Sequence, residues 1–311
     1  MATAASASED RGAMQPDDVS CELDLGEPPA ELVEYAREEL GESPDTRAAA
    51  LQELRDLIFE RGEVEPHRTD DLFLLRFLRA RCFHVERAHK LLVSYYKFIE
   101  DNPYIQKGVS LLELDFIGED DVLGVLPYRE QTGRRIMYYR IGNWDPGRCS
   151  VEDLLKASLA VLELGILEQS AQILGGIAIF DLEGLSLSQT WYLTPSVAAK
   201  VMALMGMAFP MRIHAIHIVN QSWLFDIVFS MFKPFLQEKM RERIHIHGSN
   251  LESLHAHIDP KFLPEKYGGT RPEYSYRQWM DSLSQNPLII KELKSLGYTR
   301  GDEEELPSDS S

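Results

Sequence analysis

Apolar residues first fall into a helical rhythm from about residue 29. Leu32, Tyr35, Ala36 and Leu40 share one face, and Leu51, Leu54, Leu57 and Ile58 share another along residues 47–61. Thr69-Asp70-Asp71 supplies an N-cap cluster for a third helix, LFLLRFLRARC, with its acids at the positive helix end. A fourth spans residues 84–101 with Ala88, Leu91, Leu92 and Tyr95 on one side, and Asn102-Pro103 stops it. Helices with one apolar stripe each must bury it on one another or on a neighbouring domain, so residues 29–103 read as a small all-helical bundle.

Beyond residue 104 the period shortens. Residues 122–126 and 135–141 are β-rich runs joined by the turn-like Glu130-Gln131-Thr132-Gly133, a predicted strand pair. Ser150 caps a predicted helix running to about residue 173, and Thr194-Pro195 opens another to about residue 207. The continuous apolar run GGIAIFDL (175–182) suits a central strand covered on both faces. RIHAIHIV (212–219) and residues 244–247 are the next predicted strands, and Asn250 caps a last helix of this region. Strands alternating with helices predict an α/β domain over residues 104–280 with a mainly parallel sheet. No internal repeat is present. Residues 1–28 and the acidic end 301–311 read as disordered, and residues 281–311 as a C-terminal helix with an acidic tail.

The stretch 220–243, NQSWLFDIVFSMFKPFLQEKMRER, breaks the one-stripe pattern. Eight of the ten residues from Trp223 to Phe232 are apolar, and on a helical wheel they go nearly all the way round. Such a helix is either fully buried core or a lid with one face on an apolar ligand and the other on a membrane. It is too short and too interrupted to span a bilayer.

Charge sharpens this picture. The 311-residue chain carries a net charge of −18, against a basic nucleic-acid footprint and against whole-protein attraction to anionic lipid. Between Pro210 and His247, however, five Arg/Lys residues face three acids. If the fold gathers Arg212, Lys233, Lys239 and Arg243, phosphate is the natural partner; the alternative is a solvated face with Lys239 and Arg243 pairing along a helix to Glu238 and Glu242. Three widely spaced cysteines (Cys21, Cys82, Cys149) make no disulfide framework, and the N-terminus lacks an apolar signal core, so a cytoplasmic protein is expected.

Catalytic signatures are weak. No GxGxxG opens a helix after a strand, and GxxxxGK[ST], GxSxG and HExxH are absent. Asp181 and Glu183 at a strand's carboxyl end could serve as acid and base, but without a nucleophile or metal partner they read as turn and cap residues. His245 and His247 share one strand face, whereas His255 and His257 diverge on a helix, so no metal or cofactor is expected; His214 and His217 face opposite ways.

At this point the motifs become specific. DDLFLLRFLRARCFHVERAHKLL (70–92), FDLEG…LTPSVAAKV (180–201), FPMRIHAIHIVN (209–220), FSMFKPFLQEKMRERIHIHG (229–248) and LPEKYGG (263–269) resemble, in order and spacing, the CRAL-TRIO lipid-binding family over about residues 29–280. The likeness is to its tocopherol-transfer branch rather than its phosphatidylinositol-transfer branch. The resemblance implies a helical bundle followed by an α/β domain whose sheet floors an apolar cavity, with 220–243 as a movable lid. It assigns cavity positions to Leu155, Ser158, Leu162, Phe180 and Val201, and also to Leu204, Met205, Phe209, Met211 and Ile216. Tyr139, Trp191, Phe225, Ile227 and Val228 are added from pattern. It places a phosphoinositide headgroup, such as that of phosphatidylinositol bisphosphate, on Arg212, His214, Lys233, Lys239 and Arg243. Two positions depart from that branch: Leu162 replaces a small hydroxyl residue, and His214 replaces an arginine. The implied function is non-enzymatic transfer of a small hydrophobic ligand (tocopherol-like, isoprenoid or retinoid), with transient docking to endosomal or plasma membranes. A lipid-responsive trafficking adaptor is the alternative.

Overall fold

The computed structural model describes residues 22–110, 114–274, 283 and 285–299. Four helices come first: α1 (Ala30–Leu40), α2 (Pro44–Arg61), α3 (Asp71–Ala80) and α4 (Val85–Asp101). Their ends obey local chemistry. Ser43 and Thr46 form a capping box before α2, the Asp70 carboxylate accepts the Phe73 amide of α3, and Gly41 ends α1 in the left-handed region. After a short α5 (Asp115–Glu119), strands β1 (Leu123–Arg129) and β2 (Arg135–Arg140) form the expected hairpin, with the Glu130 amide donating to the Arg134 carbonyl at 2.9 Å.

Three parallel strands complete the sheet in the order β1-β2-β3-β4-β5: β3 (Gly176–Asp181), β4 (Ile213–Val219) and β5 (Ile244–Gly248). Each crossover is helical. It is α6 (Val151–Gly165) and α7 (Gln169–Leu174) before β3, and α8 (Leu187–Thr190) and α9 (Pro195–Met202) before β4. Before β5 it is α10 (Leu224–Phe232) and α11 (Glu238–Arg241). A π-turn, Ala203–Ala208, extends α9. Helices α12 (Leu251–His255) and α13 (Pro287–Ser295) come after the sheet.

Register assigns the faces. Tyr139, Phe180 and Ile218 lie side by side on one face, and Tyr138, Ile179 and His217 on the other. The second face is sealed by Leu254, Ile258, Leu263 and Tyr267 packed on Ile136, Ile177 and Ile179. The first face meets the helices.

Four expectations change. The predicted boundary near residue 103 is not a boundary of the core, because one apolar cluster runs from α2–α4 through α6 to Leu293 and Tyr298. Arg79 of α3 reinforces the join, donating to Glu42 at 2.8 and 2.9 Å and to Gln172 and Gln169 of α7 at 2.8 and 3.1 Å. Second, the helix expected over 150–173 divides at Ile166–Glu168. The Glu168 carboxylate is buried there against Arg129 and Arg135. Third, residues 22–28 are not a free tail: Leu23 is buried and the Asp24 amide donates to Glu168 at 2.8 Å. The remaining disordered-tail expectations, 1–21 and 301–311, lie outside the described residues. Finally, 220–243 is two helices around the turn Lys233–Phe235, because Pro234 cannot continue α10.

Candidate functional site

Tyr139 and Phe180 form the floor of the helix-covered face, their rings stacked 4.6 Å apart and 3° from parallel. The Tyr139 hydroxyl donates to Ser158 Oγ at 3.0 Å, and Ser158 donates onward to the Leu154 carbonyl at 2.7 Å. Burial pushes the Tyr139 phenol up to about 12, so it stays a neutral donor. Leu155, Leu162, Leu204 and Phe209 pack into the large core around this pair.

This face is not packed solid. Phe180 and Ile216 lie on inner strands beneath helices, where close packing would seal them, yet both remain only partly buried. So do Val201, Met205 and Met211 along the edge of the large core. The apolar residues form two separate groups. The second comprises Leu182, Leu185, Ile218, Leu224 and Phe225, with Ile216, Val228 and Phe229 against it. Phe180 and Ile141 border both groups. An apolar surface divided in this way, reached by side chains from β3, β4, α6, α9 and α10, suits a hydrophobic ligand.

Helix α10 covers the second group. Leu224, Phe225, Val228 and Phe229 turn inward, with Phe225 and Phe229 stacked at 5.1 Å. Asp226, Ile227 and Ser230 turn outward. Trp223 is 68% exposed, Phe235 41% and Ile227 38%. Ile227, expected on the ligand, therefore faces away from it, because it lies on the opposite side of α10 from Phe225 and Val228. Trp191 is 77% exposed and does not join the apolar groups either; it ends the one-turn helix α8, whose buried residues are Gln189 and Thr190.

The cations gather at the start of β4. Arg212 Nη1 donates to the Ile173 carbonyl at 3.4 Å and Arg243 Nη1 to the Ile213 carbonyl at 2.6 Å. Gly175 permits this close approach: at φ +78°, an added Cβ would stand 2.4 Å from the Arg212 carbonyl oxygen. His214, exposed on β4, is within reach of these charges. Partial desolvation lowers its pKa first, then the charges of Arg134, Arg243 and Arg212, opposed by Glu130. Arg134 is a member that the sequence pattern missed, since the β1–β2 turn is distant along the chain. Lys233 and Lys239 are exposed on the covering segment. Lys239 and Arg243 do not share a helical face, because α11 ends at Arg241 and Arg243 leads into β5. Among the described residues, no carboxylate lies within ion-pairing distance of Arg212, Lys233, Lys239, Arg241 or Arg243. Pairing to Glu238 and Glu242 is thus not what occupies these cations.

Asp181 is buried at the end of β3. It accepts the Glu183 amide at 3.0 Å and the Asn220 side chain at 2.9 Å, binding the ends of β3 and β4 together. Glu183 is exposed and pairs with Lys266 at 3.1 Å. His255 meets the Tyr267 carbonyl at 2.8 Å, while His257, past the end of α12, turns toward His245 and His247. Among the described residues, no group of three His, Cys, Asp or Glu side chains could hold a metal ion.

Two family models match the chain: CRAL/TRIO domain over residues 119–269, and CRAL/TRIO, N-terminal domain over residues 50–94. Clavesin-1 of Pongo abelii is 39% identical over 264 residues, covering 81% of this chain and 72% of that protein. Clavesin-2 of Homo sapiens is 37% identical over 255 residues, covering 81% and 78%. Among solved structures, the crystal structure of Sfh5 aligns with TM-score 0.45 and 15% identity over 76% of this chain and 92% of that one.

Proposed function

The chain belongs to the CRAL/TRIO family of lipid-binding and transfer proteins, and from that premise we propose that it carries one small hydrophobic lipid between membranes. The observation that carries this reading is the divided apolar face: partly buried Phe180 and Ile216 on inner strands, closed over by a helix whose two sides are both apolar. Burial of hydrocarbon supplies the affinity, at about 25 cal/mol per Å² less the cost of association. The Tyr139–Ser158 pair offers one polar anchor on that apolar wall. This suits a cargo with a single hydroxyl or carbonyl end, such as a tocopherol-like compound, another isoprenoid or a retinoid.

Release takes place at a membrane. The outward Trp223, Ile227 and Phe235 enter the interface, and the cations at the start of β4, with Lys233 and Lys239, meet an anionic headgroup. Phosphatidylinositol bisphosphate provides the phosphate density such a cluster favours. Headgroup contact promotes release only to the extent that it binds the open segment more tightly than the closed one. The protein works from the cytoplasm, with transient contacts on endosomal or plasma membranes. Transfer of a fluorescent tocopherol or retinoid analogue between vesicles by the purified protein tests the proposal. Transfer that accelerates with phosphatidylinositol bisphosphate in the acceptor is expected. Binding without net transfer would instead favour a lipid-responsive trafficking adaptor.

A further inference from the structure

Four histidines meet on the face of the sheet turned away from the apolar site. His217 of β4 is in register with His245 of β5, their rings 5.2 Å apart and 21° from parallel. The rings of His217 and His247 are 5.1 Å apart, and His217 Nδ1 meets His247 Nε2 at 2.9 Å. His247 Nδ1 meets Ser253 Oγ of α12 at 2.8 Å. His257, just beyond α12, lies 4.3 Å from His245 and 5.2 Å from His217, ring to ring. His217 is 1% exposed and His247 7%.

Among the described residues, the surroundings of the two buried rings, His217 and His247, hold no opposite charge. β3 presents Ile179 beside His217, and Leu254 and Ile258 pack on the same face. From the β1–β2 turn, Gln131 donates to the His257 carbonyl and accepts the Asp259 amide. The charges that bear on His217 are those of His247, His245, His257 and His214, imidazoles throughout. Those that bear on His247 are His257 and His245, and His257 alone bears on His245. Among the described residues, no carboxylate forms an ion pair with any of the four. Burial accordingly holds His217 down to about 3 and His247 to about 4. The 2.9 Å contact also requires one nitrogen to donate and the other to accept. If both rings are protonated, both facing nitrogens carry hydrogen and the bond is lost.

The position of the cluster gives this chemistry a consequence. The covering segment is the connection between β4 and β5, so these two strands are its roots. β5 is also the edge strand of the sheet. The roots are joined by Ile216 N to Arg243 O at 2.8 Å, Asn220 N to Gly248 O at 2.7 Å and Gly248 N to the Gln221 side chain at 2.8 Å. We propose that His217, His245, His247 and His257 form an acid-sensitive latch that holds β5 on β4 while neutral. Protonation makes the rings repel, loosens β5 and frees the root of the covering segment, so that acidic surroundings favour cargo exchange. The consequence for cargo rests on the transfer reading above; the loosening of β5 does not.

The sign is set by the lowered pKa values. A histidine that must stay neutral in the closed form favours opening about tenfold per pH unit below its ordinary value near 6.5. His217 and His247 together give roughly 100-fold at pH 5.5 when both protonate on opening. Hydrogen exchange of the full chain at pH 7.5 and 5.5, corrected for intrinsic rates, reads this directly. Residues 233–248 are expected to lose at least about tenfold in protection at pH 5.5 while β2 and β3 keep theirs. With His217→Gln and His247→Gln together, the loss should disappear. Equal protection of 233–248 at both pH values would overturn the latch, as would the same loss in the double variant. Should that variant not fold, imidazole proton resonances of the unmodified chain decide. Titration of His217 and His247 below pH 5 supports the latch, and titration near 6.5 overturns it. Loss of protection without vesicle-to-vesicle transfer at either pH would support the latch and count against the transfer reading, so the two fail separately.

Discussion

Tyr139 and His214 show how far single residues could be read in advance. Tyr139 was added to the apolar set from pattern alone, and the structure stacks its ring on Phe180. Its hydrogen bond to Ser158 needed the fold, because helix and strand meet there only in three dimensions. Tyr139→Phe keeps the ring and removes that bond, so a loss of about 1 kcal/mol in urea unfolding is expected. An unchanged midpoint would mean the bond contributes nothing. Trp191 was misplaced because an apolar type says nothing about where the end of a one-turn helix points. His214 was legible as the odd member of a basic cluster, but not the lowering of its pKa by partial desolvation and by Arg134, Arg243 and Arg212. The sign is direct: imidazolium forms only below the ordinary range near 6.5, so binding to phosphoinositide vesicles should strengthen as pH falls from 7.5 to 5.5. His214→Arg should bind about fivefold more tightly at pH 7.5 and show less pH dependence. Cosedimentation that is flat with pH for the unmodified chain would refute the histidine's part.

The covering segment is the element on which the reading turns. Its excess of apolar residues was visible as a pattern, whereas its break at Pro234 emerged only in the fold. The allocation of faces was not visible, because a helix apolar all round carries no stripe to orient it. Packing on β4 and α9 decides: Phe225, Val228 and Phe229 inward, Trp223, Ile227 and Phe235 outward. Substitutions on the two faces should therefore differ in kind. Trp223→Ala with Phe235→Ala should leave thermal stability within a few degrees and weaken vesicle binding by roughly tenfold, since both side chains already reach solvent. Phe229→Asp should instead destabilise the fold, because it places a carboxylate beside Phe225 in an apolar cluster. Equal vesicle binding by the double variant and the unmodified chain would remove the outward face from the docking account.

At the scale of the whole molecule, the change of period was read near residue 104, and the first strand follows at Leu123 after the short α5. That change of period did not mark a division of the core, since periodicity reports which face is buried and not against what. Glu163 of α6 shows the join. It is buried, accepts the Tyr95 hydroxyl of α4 at 2.6 Å and faces Arg76 of α3 at 3.5 Å, while Arg76 lies over the Phe73 ring at 4.7 Å. Arg76→Met removes the compensating charge, so a loss of about 3 kcal/mol is expected, with the helices and the sheet unfolding in one urea transition. Two separated transitions would show that the helical bundle and the α/β part are independent. The central claim, that this single core closes around a hydrophobic lipid, has a direct measurement: native mass spectrometry of the protein isolated from its own cells, with the released molecule identified. One apolar lipid per chain, lost when the Phe180 floor is altered, is the result expected. A mass equal to the bare chain, with no lipid extracted, would contradict it.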